Sequence, residues 1–217
     1  MNNYIIPTTI IDNFFDDPVW IRNFALEQEY FVDDTHQWPG KRTRPLHELN
    51  PQLFNHIIER FVSVFYNLEH HRMGWNVQAY FQLVNDDFQE GWVHVDKDAL
   101  ISGVVYLNPN SPADAGTTIY QSKIPGAQIL NHDKKVEAFN DPALTESLSK
   151  YRKENNDQFE ESIILKNKFN RLIAFDSHLY HSANSFTLPN NEDRLTLVFF
   201  VFKLDTDRYP LQRMNRV

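Results

Sequence analysis

Two hydrophobic rhythms divide the chain. Up to about residue 75 apolar positions recur at helical spacing, and beyond it they fall in short extended runs between turn residues. The opening run, residues 4–11, is apolar and β-branched, which predicts a first strand ended by Asp12-Asn13. Asp16-Asp17-Pro18 then marks a helix start, with carboxylates near the positive end and proline in the first turn. Val19, Ile21, Phe24, Ala25 and Leu26 carry that helix to about Tyr30. Over residues 31–48 the pattern lapses around Trp38-Pro39-Gly40, which predicts a long loop. Asn50-Pro51 opens a second helix, whose apolar face of Leu53, Ile57, Ile58, Phe61, Val62, Val64 and Phe65 runs to about His70 and predicts packing on a sheet. His70 and His71 are adjacent, so on a helix they point apart and suit its C-terminal dipole better than a metal.

Extended segments follow at residues 76–84, 92–96, 100–107, 117–121, 163–166, 171–175, 181–186 and 194–204. Asn, Asp, Pro and Gly turns separate them, as in a double-sheet antiparallel structure. The predicted fold is mainly β within an α+β class: a jelly roll with N-terminal helices packed against one sheet. Residues 138–160 read as a charged, exposed helical insertion that starts at Asp141-Pro142 and carries a thin stripe of Leu144, Leu148 and Tyr151. With no repeat and no linker, one domain is expected over residues 1–217, of which 1–75 form a helical support and 76–204 the jelly-roll core.

Composition narrows the chemistry. A formal net charge of -8 repels phosphate backbones and anionic membrane surfaces, so neither nucleic acid nor membrane is an expected partner. The short basic run Lys41-Arg42-Thr43-Arg44 reads first as a solvated loop. Seventeen Phe and nine Tyr supply ample core material. The absence of cysteine removes disulfides, thiolate ligands and a cysteine nucleophile, so a metal must be held by His, Asp or Glu. The first residues lack signal-peptide character and no apolar run reaches membrane-span length, which makes a cytoplasmic location the expectation. The oligomeric state is not legible in the sequence.

The chemistry centres on His94-Val95-Asp96. On a strand the two polar side chains share a face, roughly 6 to 7 Å apart, together with Trp92, while Val93 and Val95 face the other way. That is close enough to share one metal ion, although an aspartate beside a histidine also serves simply to orient its ring. A third ligand is available in residues 171–186, from His178 or His181; three residues apart on a strand, only one of them can face the site. Two histidines and one carboxylate match the facial triad that leaves positions open on Fe(II), whereas zinc favours a more closed shell. The final strand is almost wholly apolar, yet it begins with Arg194 and carries Thr196 on the same face. A planar guanidinium beside a hydroxyl is suited to anchoring a carboxylate, although Arg194 has Glu192 and Asp193 as possible local partners.

In this order, residues 92–96, Val104-Val105-Tyr106-Leu107-Asn108, Ala115-Gly116-Thr117-Thr118-Ile119-Tyr120, Phe175-Asp176 with Tyr180-His181-Ser182, and Arg194-Leu195-Thr196 resemble the Fe(II)- and 2-oxoglutarate-dependent dioxygenases. Within them the chain is most similar to the prolyl-4-hydroxylase-like branch. The resemblance implies Fe(II) held by His94, Asp96 and His181, and 2-oxoglutarate held by Arg194 and Thr196. It also implies a further polar contact to the cosubstrate, for which Gln82 and Tyr106 are the candidates. Molecular oxygen would then oxidise an unactivated C–H bond of a peptide, amino-acid or small-molecule substrate, with release of succinate and CO2. Two features depart from the pattern. Arg194 follows His181 by 13 positions (194 − 181), a longer gap than usual, and Ala115-Gly116 stands where many relatives have two glycines. A non-catalytic jelly-roll binding module and a cupin-type metalloenzyme without 2-oxoglutarate are the alternatives.

Overall fold

The computed structural model describes residues 7–32, 35, 37–66, 68–69 and 73–206. Its elements are β1 (Thr9–Ile11), α1 (Pro18–Leu26), β2 (Phe31–Val32), β3 (Lys41–Arg42), α2 (Leu46–Leu49), α3 (Pro51–Val62), β4 (Met73–Val84), β5 (Ile101–Tyr106), β6 (Thr117–Ser122), α4 (His132–Asn140), α5 (Thr145–Asn156), β7 (Phe159–Leu165), β8 (Leu172–Asp176), β9 (Tyr180–Ala183) and β10 (Arg194–Thr206). They build two antiparallel sheets, ordered β1-β8-β5-β10-β4-β3-β2 and β7-β6-β9. A single bridge, His94 to His181, adds the segment around His94 to the small sheet beside β9. The chain crosses from β4 to that segment, back to β5, on to β6 and β7, then to β8, β9 and β10, so the two sheets are wound together as a double-stranded β-helix.

Each long strand of the large sheet divides its side chains by period 2. Leu195, Leu197, Phe199 and Val201 of β10 face outward with Ala79 and Phe81 of β4, and there Ile21 and Ala25 of α1 and Ile57, Ile58 and Phe61 of α3 bury them. The Phe61 and Phe199 rings lie 4.9 Å apart. Both helices start where the sequence places them: Asp17 accepts from the Trp20 N–H at 2.9 Å and Asn50 from the Leu53 N–H at 2.9 Å, each followed by proline. The N-terminal helices therefore do support one sheet. The alternate residues of β10 face the space between the sheets, where the site lies.

Four expectations need correction. Residues 92–96 do not form a strand, because only His94 makes a ladder pair. The 31–48 stretch is no plain loop: β2 and β3 pair with each other and β3 pairs with β4, capping the sheet edge with a short hairpin before α2. Helix α3 ends at Val62, and His70 and His71 lie outside the described residues. The insertion is two helices, the first beginning at His132, and it is docked rather than exposed. Ala138, Phe139 and Leu148 pack against Phe88, Trp92 and Phe186, an apolar footing that the charged helical sequence conceals. Asp141 caps only the short turn between the two helices, accepting from the Ala143 N–H at 3.1 Å. Among the described residues no helix is long and apolar enough to cross a membrane.

Candidate metal centre

The His94 and His181 backbones exchange hydrogen bonds, His94 N–H to His181 C=O at 3.0 Å and His181 N–H to His94 C=O at 2.9 Å. This puts the two rings 4.4 Å apart between the sheets. Each ring is then turned by its own chain, Nδ1 donating to the carbonyl two residues earlier, Trp92 or Leu179, at 2.8 Å in both cases. That tautomer leaves both Nε2 lone pairs aimed at Asp96. His94 Nε2 lies 3.5 Å from Asp96 Oδ1, His181 Nε2 lies 3.4 Å from Oδ2, and one donor atom from each of the three residues falls within 4.8 Å of the others. Adjacent ligands with bonds of about 2.1 Å sit about 3 Å apart, so this set needs only a small contraction around an ion. His178 is not part of it, since it projects into solvent beside Asp176, 3.3 Å away.

The electrostatics suit a cation. Burial first, then the charges of Lys135 and His181, pull His94 down to about 3 against the opposing pull of Asp96, so the ring is neutral and its lone pair available. Burial works against a charged Asp96, but the two imidazoles beside it, His181 first, and the Ser102 hydroxyl hold it well below the usual carboxylate range. Ser102 Oγ donates to Asp96 Oδ2 at 2.6 Å, and the Asp96 N–H is tied to Ser177 C=O at 2.9 Å.

Register assembles the second half of the site. Thr196 of β10 stands opposite Gln82 of β4 on one side and Tyr106 of β5 on the other, and Arg42 of β3 stands opposite Gln82. Three of the sequence-predicted cosubstrate contacts, Gln82, Thr196 and Tyr106, thus form one row across β4, β10 and β5, which Arg42 extends onto β3. Arg194 lies one step along, buried, with its guanidinium 5.4 Å from the Tyr106 ring and 5.7 Å from Phe186. Arg194 Nε and Thr196 Oγ1 are both buried without a hydrogen-bond partner among the described residues, which is costly unless a ligand completes them. The Tyr106 hydroxyl lies 2.9 Å from Thr117 Oγ1. Gln82 is more committed, its amide donating to Pro39 C=O at 2.8 Å and accepting from Arg42 at 3.3 Å.

The triad lines one cavity of about 580 Å³ together with Arg42, Gln82 and Arg194 of the second half, within the range of small-molecule sites. Two groups of residues escaped the sequence reading. Asn155 and Asn156, at the end of α5, clamp the strap that carries His94: Asn155 Nδ2 donates to Val93 C=O at 3.0 Å, Asn156 Oδ1 accepts from Val93 N–H at 2.9 Å and Asn156 Nδ2 donates to Gly91 C=O at 3.1 Å. In sequence the pair reads as an ordinary helix terminus. Lys135 of α4 is buried in the cavity wall, where burial lowers its ammonium to about 8 against the pull of Asp96. In sequence it is one of two lysines on a charged helix.

With that geometry established, comparison with known proteins adds the following. The sequence profile of a family described as a family of unknown function (DUF6445) matches residues 3–201. No curated protein matches the sequence. Several solved structures share the fold. HygX from Streptomyces hygroscopicus, with nickel, 2-oxoglutarate and hygromycin B bound, is 14% identical with a TM-score of 0.54 over 89% of this chain and 82% of its own. EvdO2 from Micromonospora carbonacea var. aurantiaca is 10% identical with a TM-score of 0.53 over 95% and 91%. A prolyl hydroxylase from Trichoplax adhaerens, in complex with a peptide fragment of the hypoxia inducible factor oxygen degradation domain, is 12% identical with a TM-score of 0.52 over 90% and 83%. The jelly roll is therefore the fold of the 2-oxoglutarate oxygenases, as the motif resemblance implies.

Proposed function

For this chain, which belongs to the DUF6445 family of unknown function, we propose the activity of an Fe(II)- and 2-oxoglutarate-dependent oxygenase. One observation carries the reading. A His-Asp-His cluster with all donor atoms within 4.8 Å shares a cavity with the buried Arg194, whose Nε lacks a hydrogen-bond partner among the described residues, as does the buried hydroxyl of Thr196 two residues along β10. The nitrogen and oxygen donors suit Fe(II), and the two orphaned groups suit a carboxylate.

In this reading His94, Asp96 and His181 hold the metal. Arg194 and Thr196 hold the distal carboxylate of 2-oxoglutarate, with Tyr106 beside them and Gln82 positioning Arg42 on the far side. Bound Fe(II) and 2-oxoglutarate supply an oxidant from molecular oxygen, releasing succinate and CO2, and direct it at a C–H bond. The protein's work is positional. The backbone bridge fixes the two imidazoles relative to each other, Ser102 orients Asp96, and the apolar residues between the sheets exclude water. The substrate is a small molecule or a peptide, the two kinds seen bound in HygX and in the prolyl hydroxylase.

The test is anaerobic titration with Fe(II) and then 2-oxoglutarate, following the visible charge-transfer band of a chelated 2-oxo acid. The band should form in the wild type and in His178→Ala, and should vanish in His94→Ala and His181→Ala. No band in folded, iron-supplied wild type would favour a binding module. Metal-centred activity that needs no 2-oxoglutarate and survives loss of Arg194 would favour a cupin-type enzyme.

A further inference from the structure

The charge of the cavity runs opposite to that of the protein. The chain carries a formal -8, yet the charged residues lining the cavity are Arg42, Lys97, Lys135 and Arg194 against Asp96 and Asp98. Of the cations, Arg194 belongs to the cosubstrate in the proposed reading, Lys97 is exposed, and Arg42 is held by Gln82 and stacked 4.1 Å from Trp38.

Lys135 differs from these. It is 8% exposed, its ammonium lies 5.5 Å from the centre of the Phe139 ring, and no hydrogen bond or ion pair joins it to a described residue. The carboxylate it feels is that of Asp96. A buried ammonium is costly unless an opposite charge answers it. Once Asp96 is committed to a dication, that answer is gone, and the cavity holds an uncompensated cation next to the metal-binding face. The apolar footing of Ala138 and Phe139 on Trp92 fixes α4 there.

We propose that Lys135 is the anchor for a carboxylate on the substrate, making the substrate an organic acid such as an amino acid or an acyl amino acid. This rests on the oxygenase reading for which molecule is oxidised, but the acid-binding site itself needs only Lys135 and a metal ion on Asp96. One ammonium balances one carboxylate, whereas a phosphate dianion would need a second free donor. The insertion that supplies Lys135 lies between β6 and β7, outside the jelly-roll strands, and is the part of the chain that sets which acids fit.

The experiment is a ligand-observed NMR screen of the full chain, with and without Zn(II) as a redox-inert metal and 2-oxoglutarate. The probes are matched pairs of N-acetyl amino acids and aryl-acetic acids with their carboxamides, tested against wild type, Lys135→Met and Lys135→Arg. Acids should bind the wild type at least about tenfold more tightly than their amides. That preference should vanish in Lys135→Met and survive in Lys135→Arg, with 2-oxoglutarate binding equal in all three. Acids and amides binding alike, no acid binding at all, or full preference in Lys135→Met overturns the proposal. So does a loss of 2-oxoglutarate binding confined to Lys135→Met, since Lys135 would then serve the cosubstrate. Failure of 2-oxoglutarate to bind the wild type, alongside a Lys135-dependent preference for acids, would sink the oxygenase reading and leave the acid site standing.

Discussion

His94 and His181 are joined main chain to main chain, by reciprocal hydrogen bonds of 3.0 and 2.9 Å, so two of the three candidate ligands hold their relative position without help from side-chain packing. Asp96 has no such bridge partner and relies on its Ser102 hydrogen bond of 2.6 Å and its backbone tie to Ser177. Ser102→Ala should therefore weaken Co(II) or Fe(II) binding about 10- to 100-fold, the usual cost of losing an outer hydrogen bond to a ligand. Thermal stability should barely change. A metal titration showing less than a threefold effect would mean that Asp96 is oriented by the backbone alone.

Arg194 and Thr196 predict a conflict between stability and binding. Arg194 Nε is buried without a partner, so Arg194→Met removes a strained charge from the ligand-free protein and should raise its Tm by a few degrees. The same change should raise the 2-oxoglutarate Kd at least about tenfold, since a charged hydrogen bond is worth about 1.5 to 3 kcal/mol. Thr196→Val should act in the same direction by about 1 kcal/mol. Calorimetric titration with 2-oxoglutarate, beside a metal titration that stays unchanged, checks both variants. Equal 2-oxoglutarate binding in wild type and Arg194→Met would refute the assignment.

The strands and the His94–Asp96 pair were legible because both depend on short-range pattern, whereas His181 was reached through the family resemblance. Short extended runs between turn residues located β4, β5, β6, β8 and β10 to within a few residues, and the spacing of His94 and Asp96 put them together. What escaped depends on contacts far apart in sequence. The 92–96 strap looks like a strand, but its outer side is satisfied by Asn155 and Asn156, more than sixty positions away, which no local pattern reveals. Docking of the insertion was hidden in the same way, by Phe139 meeting Trp92 and Phe186. The row Arg42–Gln82–Thr196–Tyr106 emerges only from strand register, although its members were each visible.

The departure at Ala115-Gly116 has a structural explanation and a test. A Cβ on Gly116 would lie 2.0 Å from Leu165 C=O, a backbone atom that cannot move aside, whereas Ala115 already fits its buried position. Gly116→Ala should cost on the order of 1 to 3 kcal/mol or more. Ala115→Gly should cost about 1 kcal/mol or less. Urea unfolding curves that place the two variants together would show that the β6–β7 pair shifts to make room.

Asp12 gives a pH dependence. Its carboxylate accepts from Arg171 Nε at 2.6 Å and from Lys168 at 2.8 Å, and those hydrogen bonds, Arg171 first, hold it well below the usual carboxylate range. A carboxyl whose folded value is depressed stabilises the fold above its unfolded value of about 4 and loses that contribution as pH falls further. The stability gap between wild type and Asp12→Asn should be flat above about pH 5 and close as pH drops below about 4. Because the cluster is largely exposed, the gap should be no more than about 1 kcal/mol. A gap that widens towards low pH would mean that Asp12 is not the group responsible.

Asn155 couples the insertion to the metal centre. Fully buried, it donates to Val93 C=O at 3.0 Å and accepts from Leu130 N–H at 2.8 Å, standing in for the ladder partner that the strap lacks. Asn155→Ala leaves the buried Val93 carbonyl unsatisfied, at about 1 to 3 kcal/mol, and the part-buried Leu130 N–H without its partner. The effect should also reach the ligands, because the strap carries His94 and Asp96. Ile57→Ala is the control, a core truncation of about 2 to 5 kcal/mol on the helix-facing side of the sheet, away from the cavity. Both variants should unfold at lower urea concentration, and both should be compared under conditions where they remain folded. There, Asn155→Ala should bind Co(II) at least about tenfold more weakly than wild type, and Ile57→Ala should bind it normally. Equal metal binding in the two variants would show that the backbone bridge to His181 alone holds the strap, leaving Asn155 only a stabilising role.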